Sequence, residues 1–154
     1  MNYKHGFKHT RFYRIYGGIV ARTSNKKLPY FSSYGGRGIK CLWKSFEEFR
    51  DDMYESYQFH IKEFGEKNTS IDRIDNNGYY SKENCRWATR KIQGRNMRNN
   101  KNFYIDGIKY CIAELSEIYK IPYKIVHQRI FRNKWNAEKA VKTPVRKFTF
   151  SSLK

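Results

Sequence analysis

Acidic residues are scarce in this chain of 154 residues. Asp and Glu number 14 against 32 Lys and Arg, which leaves a formal net charge of +18 at pH 7. A field of this strength around a small protein attracts polyanions, and nucleic acid is the commonest of them. A ribosomal surface or an anionic membrane is the alternative, but no amphipathic basic helix with a clean apolar face favours the membrane.

The sequence also lacks closely spaced cysteines and long apolar runs. Cys41, Cys85 and Cys111 stand far apart, without the paired spacing that holds zinc or frames a disulfide scaffold, so no structural zinc is expected. No run approaches the roughly 18 apolar residues of a membrane span, and the N-terminus has no apolar signal core. We therefore expect a soluble protein of a reducing cytoplasm with no membrane partner.

Aromatic residues, by contrast, are abundant at 18% of the chain, and many lie beside basic residues, as in residues 8–14. Such interleaving is typical of phosphate contact combined with base or sugar stacking. The same side chains would equally supply core area.

A chain of this length forms one ordinary domain or two very small ones, so we expect a shallow and open active site.

Two helices are predicted in the first half of the chain. One begins after the cap Thr10 and runs to about Arg22, and the other follows the capping box of Ser45 and Glu48 and runs to Phe64. The apolar and aromatic residues of the second helix recur at helical spacing. This stripe indicates core packing rather than a cofactor site.

Between these helices, residues 34–39 read Tyr-Gly-Gly-Arg-Gly-Ile. The segment is either a plain tight turn or a loop that lets backbone amides, or the side chain of Arg37, approach a phosphate. It is not a Walker loop, because the Gly-Lys-Ser/Thr ending is missing.

A strand, a turn, a second strand and a helix are predicted within about 30 residues. The strands cover Thr69 to Ile74 and Cys85 to Ala88, and the helix opens at Thr89 and runs to about Met97. The second strand, the helix and the residues that follow it carry a set of basic residues: Arg86, Arg90, Lys91, Arg95, Arg98 and Lys101. No acidic residue occurs between the first and the last of them. We expect this set to contact DNA phosphates; a solvated charge run is the alternative.

The last third of the chain reads as a small module. A hairpin is predicted on Asp106-Gly107, followed by helices at about 112–119, 122–132 and 137–141 in a helix-turn-helix layout. Six residues are expected to face its core: Leu115, Ile118, Ile121, Ile125, Ile130 and Trp135.

The segment SIDRIDNNGYYSKENCRWAT at residues 70–89 resembles the HNH endonucleases of phages and mobile introns. Their ββα-metal motif runs roughly Asp-His-Ile-Asp, a turn, Asn-Leu-x-Trp and a helix bearing Asn. Residues 34–39, Trp43 and Phe46 resemble the leading half of one phage subgroup, and residues 106–144 resemble the helix-turn-helix modules appended to such enzymes. The likeness covers nearly the whole chain.

The resemblance implies an α+β fold and its division. A nuclease domain with a small ββα-metal core and flanking helices is expected at residues 1–101, with the motif at about 69–97. A helix-turn-helix-like DNA-binding module is expected at 102–145 and a basic tail at 146–154.

The resemblance also implies a metal centre. Asp72 matches the family's metal carboxylate, Gln93 falls at or beside its second ligand position, and Asn96 lies one turn later. Carboxylate and amide oxygens suit a hard divalent ion, Mg²⁺ first and Mn²⁺ second. Alternatively, Gln93 and Asn96 contact only DNA or solvent.

Arg73 stands where most members carry the general-base His, and in this respect the chain resembles the Arg-for-His members. Arginine stays protonated, so it would clamp the scissile phosphate rather than activate water. The resemblance places Tyr80, or less favourably Tyr79, as a phenol that shuttles the proton once Arg73 and the metal lower its pKa. The alternative for Tyr80 is turn packing, and Asn84 is expected to tie the loop between the strands and so position the catalytic pair.

The predicted recognition helix is expected to read major-groove edges through four residues: Lys124, His127, Gln128 and Arg132.

The function that the resemblance implies is a metal-dependent DNA endonuclease, phage-encoded or homing-type, acting in a bacterial cytoplasm. The alternative is an inactive DNA-binding regulator or inhibitor of nuclease ancestry with a host protein partner. An RNA-binding protein is less favoured, since no RRM or KH signature is found, and whether the chain acts as a homodimer stays open.

Overall fold

The helices of the first half form where the capping residues predict them. In the computed structural model, α1 spans Arg11–Ser24 and α2 spans Phe46–Phe64. The Thr10 hydroxyl accepts a hydrogen bond from the Tyr13 amide, and the Ser45 hydroxyl accepts one from the Glu48 amide, so each satisfies an amide that the helix leaves unpaired. The two predicted helices are confirmed.

The structure describes residues 6–145, which fold as a mixture of helices and two small sheets, an α+β protein as expected. The chain divides into two compact units between Arg98 and Asn99, whereas the sequence predicted the division between residues 101 and 102. The predicted basic tail lies outside the described residues. Over the described part, no helix is both long enough and apolar enough to cross a membrane.

Aromatic rings form the core of the first unit. Phe12 of α1 packs against Phe46, Phe49 and Tyr57 of α2, with ring centroids 4.8 to 5.9 Å apart. Trp87 joins this cluster and donates a hydrogen bond from its indole nitrogen to the Met53 carbonyl. The aromatic stripe of α2 therefore serves packing, as its spacing predicted.

A two-stranded antiparallel sheet lies against this core. Strand β1 spans Ser70–Arg73 and β2 spans Cys85–Ala88, with Ile71 opposite Trp87 and Asp72 opposite Arg86. Side chains alternate between the faces of a strand. Ile71 and Trp87 consequently enter the core, while Asp72 and Arg86 share the other face.

Helix α3 follows β2 at once and spans Arg90–Arg95, with the Thr89 hydroxyl capping its first turn. It is two residues shorter than predicted. The helix ends at Asn96, whose side chain turns back to hydrogen bond with β1. Asn96 has the non-helical backbone angles of a C-cap residue, and side-chain bonds of this kind compete with continuation of the helix.

The glycine-rich segment packs against the end of α1 in two short 3₁₀ turns, Phe31–Ser33 and Gly35–Arg37. A Cβ atom on Gly35 would lie 2.2 Å from the Phe31 ring and 2.3 Å from the Thr23 carbonyl oxygen. Only glycine permits this close approach, which holds the segment to the last turn of α1.

The second unit begins with a hairpin of β3, Asn102–Ile105, and β4, Ile108–Cys111. Asp106 and Gly107 both have positive φ, as the tight turn of a two-residue hairpin requires. The remaining elements are α4, Ile112–Ile118; α5, Tyr123–His127; a π-helical turn, Gln128–Arg132; and α6, Ala137–Lys142. The helix predicted at 122–132 is thus α5 continued by the π-helical turn.

The core of this unit differs from the prediction at one position. Leu115, Ile121 and Ile130 are buried, but Ile118 is 56% exposed and the prediction for it was wrong. Tyr119, four residues after Leu115, packs against the core instead. Counted from Leu115, the side chain four residues further on, Tyr119, faces the interior, and the side chain three residues further on, Ile118, does not.

Candidate functional site

Asp72 and its cross-strand neighbour Arg86 form an ion pair on the face of the sheet turned away from the aromatic core. The Nε atom of Arg86 lies 3.0 Å from Oδ2 of Asp72. Asp72 is only 9% exposed, whereas the Arg86 side chain is 43% exposed. The carboxylate is thus nearly buried, with its balancing cation at the surface.

Asn96, just beyond α3, supplies a second contact to Asp72. Its side-chain nitrogen donates to the two carboxylate oxygens at 3.3 and 3.1 Å and to the Arg73 carbonyl oxygen at 2.6 Å. Three oxygen atoms therefore surround one amide nitrogen where β1 meets the end of α3. We call Asp72, Asn96 and the Arg73 carbonyl the oxygen cluster.

The chemistry of the oxygen cluster fits a hard divalent cation. Carboxylate, carbonyl and amide oxygens are the ligands that Mg²⁺ prefers. A half-turn of the Asn96 amide exchanges its nitrogen for its oxygen without changing the shape of the side chain. In residues 6–145, no group of three or more His, Cys, Asp or Glu is placed to hold a metal. A cation here would rest on one carboxylate and neutral oxygens, the kind of site that substrate phosphates complete.

Gln93 lies elsewhere. Its side-chain nitrogen donates to the Ile71 carbonyl at 3.0 Å, which ties α3 to β1. Of the two amides predicted as metal ligands, Asn96 is the one that contacts Asp72. In this structure the Gln93 side chain holds α3 in place and is not hydrogen bonded to the Asp72 carboxylate.

Arg73 points to the opposite face from Asp72, since the two are neighbours on one strand. Arg73 is 6% exposed, and its guanidinium donates to the Gly78 carbonyl at 2.9 Å. The same group lies 4.8 Å from the ring centroid of Tyr80 and 5.4 Å from that of Tyr34. The structure thus does not bring the predicted pair, Asp72 and Arg73, together as side chains.

Tyr80 is held in the core by its own backbone. Its amide donates to the Lys40 carbonyl and its carbonyl accepts from the Leu42 amide, at 2.8 and 2.9 Å. The side chain is 3% exposed, and its hydroxyl accepts a hydrogen bond from Arg22 at 3.2 Å.

Burial raises the pKa of the Tyr80 phenol above its ordinary value, although Arg22 and Arg73 act in the opposite direction. Arg73 acts on this pKa in the expected direction, but desolvation of the phenolate has the larger effect. A buried phenol with a raised pKa is a poor proton acceptor at neutral pH. Tyr79, the less favoured of the two predicted proton shuttles, is exposed.

Asn84 ties the loop between β1 and β2, the role expected of it. Its amide oxygen accepts from the Asp75 amide at 2.8 Å, and its amide nitrogen donates to the carbonyls of Tyr79 and Asp75 at 2.8 and 3.1 Å. Gly78 lies so close that a Cβ atom there would be 2.5 Å from the Asn84 nitrogen. Asn84 therefore shapes the loop through its hydrogen bonds to Asp75 and Tyr79.

The cations predicted to bind DNA differ in their surroundings. Arg90, Lys91 and Arg98 are exposed, and Arg95 is half-buried. Arg37 donates to the Asn77 side chain at 2.6 Å, which places it against the same loop that Asn84 holds. The surface of α3 is therefore strongly basic, and the helix ends at the oxygen cluster.

In the second unit, the predicted DNA-reading residues all lie exposed: Lys124, His127, Gln128 and Arg132. The ring of His127 stacks with Tyr123 and contacts Phe131, with centroids 6.0 and 4.6 Å apart. Lys120 has a φ of +53° in the turn before α5, the left-handed conformation for which glycine is usual. Lys120 therefore adopts the backbone conformation that a glycine usually supplies in such a turn.

Two arginines that the sequence did not indicate as functional make tertiary hydrogen bonds within their units. Arg129 is buried in the second unit, where its guanidinium donates to the carbonyls of Ala140, Thr143 and Pro144. The interruption of an apolar helical face by a charge, next to Ile130, could have indicated it. Arg22 contacts Tyr80 across a separation of 58 residues, and nothing local in the sequence indicates that contact.

Comparisons of the chain with models of known protein families, with curated protein sequences and with solved structures found no match. The candidate site has two parts. One is the oxygen cluster beside a basic helix, and the other is a group of buried and partly buried arginine and tyrosine side chains on the opposite face of the same sheet.

Proposed function

We propose that the chain is a metal-dependent DNA endonuclease of the HNH type, with a ββα-metal core in the first unit and a helix-turn-helix-like DNA-binding module in the second. The observation that carries the proposal is the convergence of Asp72, Asn96 and the Arg73 carbonyl on one point beside α3. The excess of positive charge supports DNA as the substrate.

Asp72, Asn96 and the Arg73 carbonyl would hold a divalent ion, most suitably Mg²⁺ and alternatively Mn²⁺, which when bound polarises the scissile phosphate and stabilises the leaving 3′-oxygen. Arg86 shares the Asp72 carboxylate and has an exposed side chain, so it can exchange Asp72 for a phosphate of bound DNA. Cation binding at Asp72 and phosphate binding by Arg86 then favour each other.

The remaining residues bind and orient the strand. Exposed Arg90, Lys91 and Arg98 contact its phosphates, and the second unit docks on the flanking duplex. The proton of the attacking water passes to solvent, since Tyr80 is buried on the other face with a raised pKa. Arg73, through its backbone carbonyl rather than its guanidinium, belongs to the oxygen cluster.

A plasmid-nicking assay tests the proposal. We expect supercoiled plasmid to be nicked or linearised with Mg²⁺ or Mn²⁺ and to stay intact with EDTA. Retardation of a short duplex in EDTA should weaken steeply as salt rises, because each phosphate neutralised releases counterions.

Two features favour a second candidate. The Asp72–Arg86 ion pair satisfies the carboxylate without any metal, and Arg73 replaces the usual base. The second candidate is an inactive DNA-binding regulator or inhibitor of nuclease ancestry that acts on a host protein. Salt-dependent DNA binding without nicking in either metal would favour it over the endonuclease.

Tyr80→Phe is expected to retain nicking activity within about 10-fold of the parent, well short of the 100-fold or more typical of losing a general acid or base. The physical reason is that the Tyr80 hydroxyl is buried against Arg22, with a raised pKa. Initial nicking rates at pH 7 and pH 9 provide the measurement. A loss above 100-fold in a folded variant would restore Tyr80 as the proton acceptor.

A further inference from the structure

Arg22 and Arg73 lie against the same two tyrosine rings. The Arg22 guanidinium carbon is 5.5 Å from the Tyr34 ring centroid and 5.6 Å from that of Tyr80. The corresponding distances for Arg73 are 5.4 and 4.8 Å. We call these four side chains the Arg-Tyr cluster.

No carboxylate pairs with either arginine within residues 6–145. The hydrogen bonds of the cluster go to neutral acceptors: Arg22 donates to the Gly18 carbonyl and the Tyr80 hydroxyl, and Arg73 donates to the Gly78 carbonyl. Burying the Arg73 charge without a counter-charge is costly. Cation–π contacts of up to about 2 kcal/mol each offset only part of that cost, so two positive charges here favour an anion.

Packing assembles the cluster before any ligand arrives. Arg22 stands in the last turn of α1, and the close approach of Gly35 to the Thr23 carbonyl brings Tyr34 beside it. The pairing of Tyr80 with residues 40–42 fixes the second ring. A site built from such segments loses little freedom when it binds.

We propose that the Arg-Tyr cluster is an oxyanion site that takes one phosphate of a nucleic-acid backbone. The proposal rests on the DNA-binding part of the proposed function. Arg22 is partly exposed and forms the entrance, and Arg73 supplies a second charge beneath it. The planar fork of a guanidinium matches two phosphate oxygens, and the Tyr80 hydroxyl, which accepts from Arg22, keeps its own hydrogen to donate.

Arg37 adds a third cation nearby. It follows Tyr34 by three residues and is held to Asn77, in the loop that joins Arg73 to Tyr80. The site lies on the core face of β1, whereas the oxygen cluster lies on the other face. The two are therefore separate phosphate contacts, one for cleavage and one for positioning.

The first experiment uses inorganic phosphate as the probe. The unfolding midpoint of the full chain is measured in phosphate and in chloride at equal ionic strength, for the parent, Arg22→Gln and the control Lys62→Gln, which removes an exposed charge from the last turn of α2. Phosphate should raise the midpoint of the parent and of Lys62→Gln, but not that of Arg22→Gln. Equal stabilisation of all three would overturn the proposal.

The second experiment measures duplex binding in EDTA over a range of salt concentrations. Arg22→Gln should lower the slope of log affinity against log salt by about 0.9, the value for one phosphate contact, while Lys62→Gln leaves it unchanged. An unchanged slope in Arg22→Gln would refute the backbone assignment. If the parent binds no duplex, the proposed function fails, and the phosphate experiment still decides the anion site.

A second variant, Arg22→Lys, tests the anion site even if Arg22→Gln does not fold. Arg22→Lys retains the positive charge and loses the planar fork, so we expect its inorganic phosphate affinity to fall at least about 5-fold. Phosphate affinity equal to that of the parent in Arg22→Lys would overturn the proposal, because simple charge would then account for binding.

Discussion

Asp72→Asn is expected to lower the nicking rate at least about 100-fold, while binding of a short duplex in EDTA stays within about 3-fold of the parent. The substitution preserves the shape of a nearly buried side chain and removes its charge. A neutral amide holds a hard cation weakly, and under the proposed function several kcal/mol of transition-state stabilisation would depend on that cation. Most of the chain's positive charge, to which the proposal assigns DNA binding, lies elsewhere on the chain.

The measurements are plasmid nicking with Mg²⁺ and Mn²⁺, Mn²⁺ affinity by calorimetry, and gel retardation in EDTA. Asp51→Asn is the matched control, because Asp51 is an exposed carboxylate of α2 whose recorded ion pair is with the neighbouring Arg50. It should leave all three quantities unchanged. Undiminished nicking by folded Asp72→Asn would place the cation elsewhere, and loss of both nicking and binding would refute the separation of cleavage from docking.

Features set by a few adjacent residues could be predicted from the sequence. The caps Thr10 and Ser45 define where α1 and α2 begin, because a hydroxyl that accepts an amide hydrogen bond needs only the next turn of chain. The hairpin on Asp106-Gly107 follows for the same reason, since the turn conformation is decided by those two residues.

The candidate site could be predicted only in part. The motif indicated Asp72 and a helix amide, and their contact follows from the return of α3 onto β1. The opposite faces of Asp72 and Arg73 follow from the alternation of side chains along the predicted strand. The placement of Tyr80 could not be predicted in this way, because it depends on pairing with residues 40–42, a distant segment of the chain.

The buried arginines show why charge patterns are weak guides to position. In the sequence, Arg129 and Arg132 are equivalent members of a basic helical segment. In the structure, Arg129 is 8% exposed and Arg132 lies at the surface. The difference arises because the carbonyls that end α6 need a donor, and only the folded chain brings them to Arg129.

Arg129→Ala is expected to lower the free energy of unfolding of the second unit by about 3–5 kcal/mol. Its guanidinium donates to the carbonyls of Ala140 and Thr143 at 2.7 and 2.6 Å and to that of Pro144 at 2.9 Å, and it lies over the Trp135 ring. Removing the side chain leaves these acceptors at the C-terminal end of α6 without their donor, where a cation is also favoured by the helix dipole.

A unit of this size has only a few kcal/mol of stability, so Arg129→Ala should leave the second unit largely unfolded and weaken duplex binding, while the first unit stays folded and nicks DNA at high protein concentration. Hydrogen exchange of the amides in residues 102–142, compared with those of α2, separates the two units. Arg132→Ala, an exposed arginine of the same turn, should change the stability by no more than about 0.5 kcal/mol. Equal protection of these amides in Arg129→Ala and Arg132→Ala would show that the Arg129 hydrogen bonds do not hold the module together.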